Sequence, residues 1–132
     1  MTVRLTFSEV HDNYCREIAA GELMNRGALE GALEAPFGGI GDTEFYPTLY
    51  EKAARLAYGI CQAHAYQDGN KRLSWLSAVV FLAANGVVIE VDQDEAAHVI
   101  LAVAAGECTP EQLTLWFVDC TSAALLPTTT RA

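Results

Sequence analysis

The stretch "HAYQDGNKRL", residues 64–73, gathers a histidine, an acid, a glycine and two adjacent bases within nine positions, between two long apolar segments. Its reading decides the fold. On the N-terminal side Leu49, Ala53, Leu56, Ala57 and Ile60 recur at helical spacing, and Asp68–Gly69 breaks that pattern. A second helix starts near Asn70 and stops at Asn85–Gly86, a C-cap pair. Its residues Leu73, Trp75, Leu76, Val79, Val80, Phe81 and Leu82 cover nearly every face, the pattern of a helix wrapped by others. The quoted stretch is thus a helix–loop–helix, with its polar residues in the loop and at the start of the central helix.

Working outward, Thr6 and Glu9 form a capping box that opens a first helix over about Phe7 to Ala20. Asn25 caps a short second helix that Pro36 ends. "FGGIGDTEFYP" (37–47) reads as a mobile loop or flap, and Pro47 suits the first turn of the third helix. After the fourth helix, "VVIEV" (87–91) suits a short extended piece. Asp92 or Asp94 then caps a fifth helix through Ala105, and Thr109–Pro110–Glu111 opens a sixth carrying Leu113, Trp116, Phe117 and Cys120. The fold class is all-α: a compact single-domain helical bundle with a central buried helix over residues 1–125, and a frayed tail over 126–132.

With 132 residues the chain is long enough to bury a core without staples. Eight Lys and Arg against 17 Asp and Glu give a net charge of −9, which disfavours direct nucleic-acid binding. Between Leu73 and Thr130 there is no Lys or Arg at all, so Lys71–Arg72 is the local concentration of positive charge. The run from Leu73 to Val91 is interrupted by Ser74, Ser77, Asn85 and Gly86 and falls short of a membrane span. "MTVRLTFSEV" lacks the pattern of a signal peptide, and the scattered Cys15, Cys61, Cys108 and Cys120 read as buried reduced thiols of a cytoplasmic protein.

The chemistry of the stretch follows from the helix start. Unpartnered amides and the helix dipole make an anion site suited to phosphate. Gly69 allows a tight turn and close approach, Asn70 can fix the loop by hydrogen bonding, and Lys71 and Arg72 add charge. Asp68 beside phosphates calls for a bridging cation, Mg²⁺ by preference. His64, at the end of the preceding helix, can take a proton from an incoming hydroxyl. His11 and His98 lie on helices away from any ligand-like partner, and Cys61 with His64 is too few ligands for zinc.

The run resembles the signature of the Fic/Doc superfamily, specifically its Doc branch. Fic enzymes carry H-P-F-x-x-G-N-G-R-x-x-R and Doc toxins H-x-F-x-D-G/A-N-K-R; His64, Asp68, Gly69, Asn70, Lys71 and Arg72 stand in register. Lys71 replaces the second Fic glycine and Trp75 the final arginine, as in Doc; Ala65 and Tyr66 depart from Pro and Phe. "RGALEGALEAP" (26–36) and "YPTLYEKAARL" (46–56) also resemble family segments, so the likeness runs from about Leu5 to Phe117. The resemblance implies a toxin that uses ATP and Mg²⁺ to move the γ-phosphate to a threonine of elongation factor Tu. His64 is then the base and Asp68 the magnesium ligand. Gly69 and Asn70 form the amide cradle, and Lys71 and Arg72 neutralise the transferring group. It also implies a Phd-like antitoxin whose C-terminal segment fills an apolar groove. The alternatives are AMP transfer of the Fic kind, or a catalytically weak module that binds an antitoxin as corepressor.

Overall fold

The computed structural model describes residues 1–121. The expected boundary between domain and tail at residue 125 lies outside the described residues. Six helices carry the fold: α1 (Phe7–Glu17), α2 (Arg26–Glu34), α3 (Leu49–Ala63), α4 (Asn70–Ala84), α5 (Gln93–Ala104) and α6 (Pro110–Asp119). A 3₁₀ turn (Ala35–Phe37) follows α2, and a two-residue hairpin, β1 (Gly39–Ile40) antiparallel to β2 (Thr43–Glu44), precedes α3.

Local chemistry sets most helix starts. Thr6 and Glu9 form the expected capping box, Asn25 accepts from the Ala28 amide, and Asp92 caps α5 through the Asp94 and Glu95 amides. Thr109 and Gln112 close another box on α6, with Pro110 inside it. At α3 the expectation shifts by one residue. Thr48 is the N-cap, boxed with Glu51, and Pro47 stands just outside the helix. The first helix ends at Glu17 rather than Ala20, because Ala19 turns left-handed with φ 48°. "VVIEV" contributes a single bridge, Ile89 to Thr121, rather than a strand.

The bundle has a central buried helix, but it is α3 and not α4. α3 packs against α2, α4, α5 and α6 and buries Ala53, Ala54, Leu56, Ala57, Ile60 and Cys61. Its small residues explain why: a Cβ on Gly59 would lie 3.3 Å from the Ala32 Cβ, so α2 approaches here almost backbone to backbone. α4 buries Leu73, Ser74, Ser77, Ala78, Phe81 and Leu82, whereas Trp75, Leu76, Val79 and Val80 are half-covered. The buried Ser74 hydroxyl donates to the Ala57 carbonyl at 2.6 Å, which ties α4 to the last turns of α3 without an unpaired polar group. Each fully buried Leu, Ile or Phe in this core stabilises by about 1.5–3 kcal/mol.

The segment expected as a mobile flap is the hairpin, and Lys52 fastens it to α3. Its ammonium lies 2.7 Å from Glu44 Oε1 and also donates to the Tyr46 carbonyl. Of the four thiols, Cys61 and Cys120 are buried as expected, Cys108 is half-buried, and Cys15 is exposed, because its position on α1 faces away from Val10 and Tyr14.

Candidate functional site

The loop between α3 and α4 begins with a residue in an uncommon conformation. His64 is the C-cap of α3 at φ 46° and ψ 45°, left-handed geometry that a non-glycine residue adopts only when its surroundings hold it there. Holding comes from the segment before α2: the Met24 and Asn25 amides both donate to the Ala65 carbonyl, at 2.7 and 3.0 Å, and Gln67 N–H donates to the Glu22 carbonyl at 2.8 Å. Asn70 then closes the loop on itself. Its Oδ1 accepts from the Tyr66 amide at 3.0 Å and its Nδ2 donates to the Tyr66 carbonyl at 2.8 Å, the fixing role its side chain chemistry suggested.

α1 forms the floor. Tyr66 stacks on Tyr14 with ring centroids 3.7 Å apart, and the Tyr14 hydroxyl donates to the Asp68 carbonyl at 2.7 Å. Gly69 has φ 81°, and a Cβ there would meet Ile18 Cγ2 at 2.6 Å, so the turn is pressed against the end of α1. The hydroxyl of Tyr66, which needs a partner when buried, finds His11 Nδ1 at 2.8 Å. Burial is the main reason the Tyr66 phenol is pushed up to about 12, with Cys15 and Tyr14 adding to it. His11 was expected to stand apart from the site; it braces the loop from 55 residues away. His98 is exposed on α5.

These supports place His64, Asp68, Gly69, Asn70, Lys71 and Arg72 around one cleft of about 700 Å³, bounded on its far side by Leu101 and Ala104 of α5 and by its C-cap Ala105. His64, Asp68, Lys71 and Arg72 are exposed to it, and Gly69 is buried beneath. No side chain caps α4, whose N-cap is Gly69 itself. The Gly69 amide is taken by Asp68 Oδ1 at 2.7 Å, so the donors at the helix start are those of Asn70, Lys71 and Arg72. Among the described residues, neither Lys71 nor Arg72 has an ion-pair partner. Two free cations at an uncapped helix start, in a chain of net charge −9, make a site for a polyanion. Cys61 lies at the base of the cleft, its thiol raised by burial, with Ser74 and Lys71 pulling the other way.

Asp68 is the one carboxylate lining the cleft, and no cluster of three metal-ligating side chains occurs among the described residues. One carboxylate does not make a resident metal site. It does fit Mg²⁺ that arrives with phosphate oxygens as its other ligands, since one Asp68 oxygen is held by the Gly69 amide and the second is left for a cation. No helix among the described residues is long and apolar enough to cross a membrane.

Part of this sequence is shared with known proteins. The family model described as Fic/DOC family matches residues 4–82, which span α1 to most of α4 and include the whole loop. Toxin Doc of Mycolicibacterium smegmatis is 38% identical over 92 residues, covering 67% of this chain and 71% of the relative. The chain belongs to the Fic/DOC family.

Proposed function

We propose that the protein is a Doc-type toxin of a toxin–antitoxin pair that transfers the γ-phosphate of ATP to a protein hydroxyl, a threonine of elongation factor Tu. The observation that carries this reading is the shared cleft, in which an exposed histidine faces an uncapped helix start bearing two unpaired cations. The name of the Mycolicibacterium smegmatis relative supports the toxin part.

In the reaction His64 takes the proton of the target hydroxyl, whose oxygen forms a bond to the γ-phosphorus as the bond to the β–γ bridging oxygen breaks and ADP leaves. Charge on the transferring group is met by the Asn70, Lys71 and Arg72 amides and by the Lys71 and Arg72 side chains, where most phosphoryl-transfer catalysis resides. Asp68 would hold Mg²⁺, which would supply further neutralisation of phosphate charge. Lys71 favours phosphate over AMP transfer, because a side chain stands where the Fic pattern has glycine and crowds the inner phosphates there. A Phd-like antitoxin is the expected partner, and nothing in the reaction requires nucleic acid or a membrane.

The test is intact-mass analysis of elongation factor Tu incubated with the protein, Mg²⁺ and ATP. A phosphate-sized gain that vanishes with His64→Ala is the expected result. An AMP-sized gain would overturn the role given to Lys71, and a gain that survives His64→Ala would overturn the base.

A further inference from the structure

A second groove of about 330 Å³ runs between α4 and α5 beside the polyanion cleft, sharing Lys71, Arg72 and Leu101 with it. Its own walls are Trp75, Ala96, Ala97 and Ile100, with Gln93 as its uncharged polar group. Trp75 stands one helical turn beyond Lys71 on the same face, about 6 Å along the axis. Its ring is braced from behind by Phe117, stacked at 6.4 Å and 18°, and by Trp116 at 5.7 Å. The indole N–H of Trp116 donates to Glu95, whereas the N–H of Trp75 has no hydrogen-bond partner among the described residues. A braced flat ring, small alanines opposite it and a free indole N–H thus adjoin a phosphate cradle through shared cations.

We infer that this groove is the base subsite, in which the purine of the nucleotide lies against Trp75 while its phosphates reach back past Arg72 and Lys71 to the start of α4. The inference rests on the nucleotide reading above and adds an orientation to it: the base points along α4 toward α6. An occupant with a polyanionic end and a flat apolar end is what the two adjoining cavities fit together. Gln93 and the Trp75 N–H are placed to meet polar atoms on the edge of the base or on the ribose. Stacking of a base on an aromatic ring is sequence-tolerant, so the site selects for a nucleobase more strongly than for adenine in particular.

The experiment compares two probes on the full chain by calorimetry: a non-hydrolysable Mg–ATP analogue, and Mg–tripolyphosphate, which has the charge without the base. Trp75→Leu should weaken the analogue about tenfold and leave tripolyphosphate unchanged. Ala97→Phe, which fills the groove from an exposed position on α5 and leaves Trp75 and Phe117 in place, should do the same. Equal binding of the analogue by wild type and both variants overturns the subsite while the nucleotide reading stands, and leaves the groove to a partner segment. Equal weakening of both probes overturns it as well, because the substitutions would then act on the cradle. An analogue that wild type does not bind sinks this inference and the nucleotide reading together.

Discussion

The Lys52–Glu44 pair makes an asymmetric prediction about stability. The side chain of Lys52 is 4% exposed and that of Glu44 is 53% exposed, with their charges 2.7 Å apart. Removing one partner of a buried pair costs about 3–5 kcal/mol when the other is left buried and unpaired. Glu44→Ala leaves the buried ammonium with the Tyr46 carbonyl and the Phe37 ring 5.8 Å away, and the access of water on the Glu44 side lowers the cost to about 1–3 kcal/mol. Lys52→Met is different. The thioether fills the space of the stem, Glu44 returns to water, and the lost bond to the Tyr46 carbonyl, about 1 kcal/mol, is offset by relief of the ammonium's desolvation. Lys52→Met should therefore fall within about 1 kcal/mol of wild type, and the double variant should resemble it rather than Glu44→Ala. Urea unfolding at neutral pH, followed by far-ultraviolet circular dichroism, reads the order. If Lys52→Met proves as destabilising as Glu44→Ala, the buried charge is not what is penalised and the reasoning fails.

Three further outcomes follow from the site. The Tyr66 phenol, raised to about 12 from an ordinary 10, stays neutral in the folded chain while the unfolded chain ionises, so its stabilising contribution is complete below pH 10 and is lost as pH rises toward 12. Tyr66→Phe keeps the stack on Tyr14 and should flatten that decline, measured by denaturant unfolding at pH 9 and pH 11. Asn70→Ala strands the amide and carbonyl of buried Tyr66 and should cost about 2–4 kcal/mol together with most of the transfer activity, read by unfolding and by the mass assay on elongation factor Tu. In a thiol titration with a chromogenic disulfide at pH 8, exposed Cys15 should react fast; Cys61, Cys108 and Cys120, all raised by burial, should react slowly, and Cys15→Ser should abolish the fast phase.

What the sequence displays of this fold is what local chemistry determines. Thr6 with Glu9, Asn25, Asp92 and Thr109 announce helix starts because a cap is a contact over three residues, and Asn85–Gly86 announces a stop for the same reason. The centre of the bundle is less visible. An apolar helix such as α4 looks central by hydropathy, yet α3 takes that place because Ala53, Ala54, Ala57 and Gly59 let neighbours come close. Small residues allow close approach without raising hydropathy much. The hairpin is hidden for a related reason, since its anchor is one lysine whose burial depends on where Glu44 and Tyr46 return.

The site divides in the same way. The motif residues 64–72 are contiguous, so their gathering around one cleft, and the latch of Asn70 on Tyr66, follow from a turn of a few residues. The scaffold that holds this turn comes from elsewhere: Tyr14 and His11 on α1, and the backbone of residues 22–25. One signal for it is present in the sequence. Tyr66 stands where the family pattern has phenylalanine, and a buried hydroxyl requires a partner. That requirement, applied to the polar residues of the first helix, leads to His11 at i and Tyr14 at i+3, which share one helical face. A departure from a motif is thus informative about what packs behind it: the extra oxygen in Tyr66 marks where α1 meets the loop, and a His11→Ala variant should lose the Tyr66→Phe difference because both changes act on the same hydrogen bond.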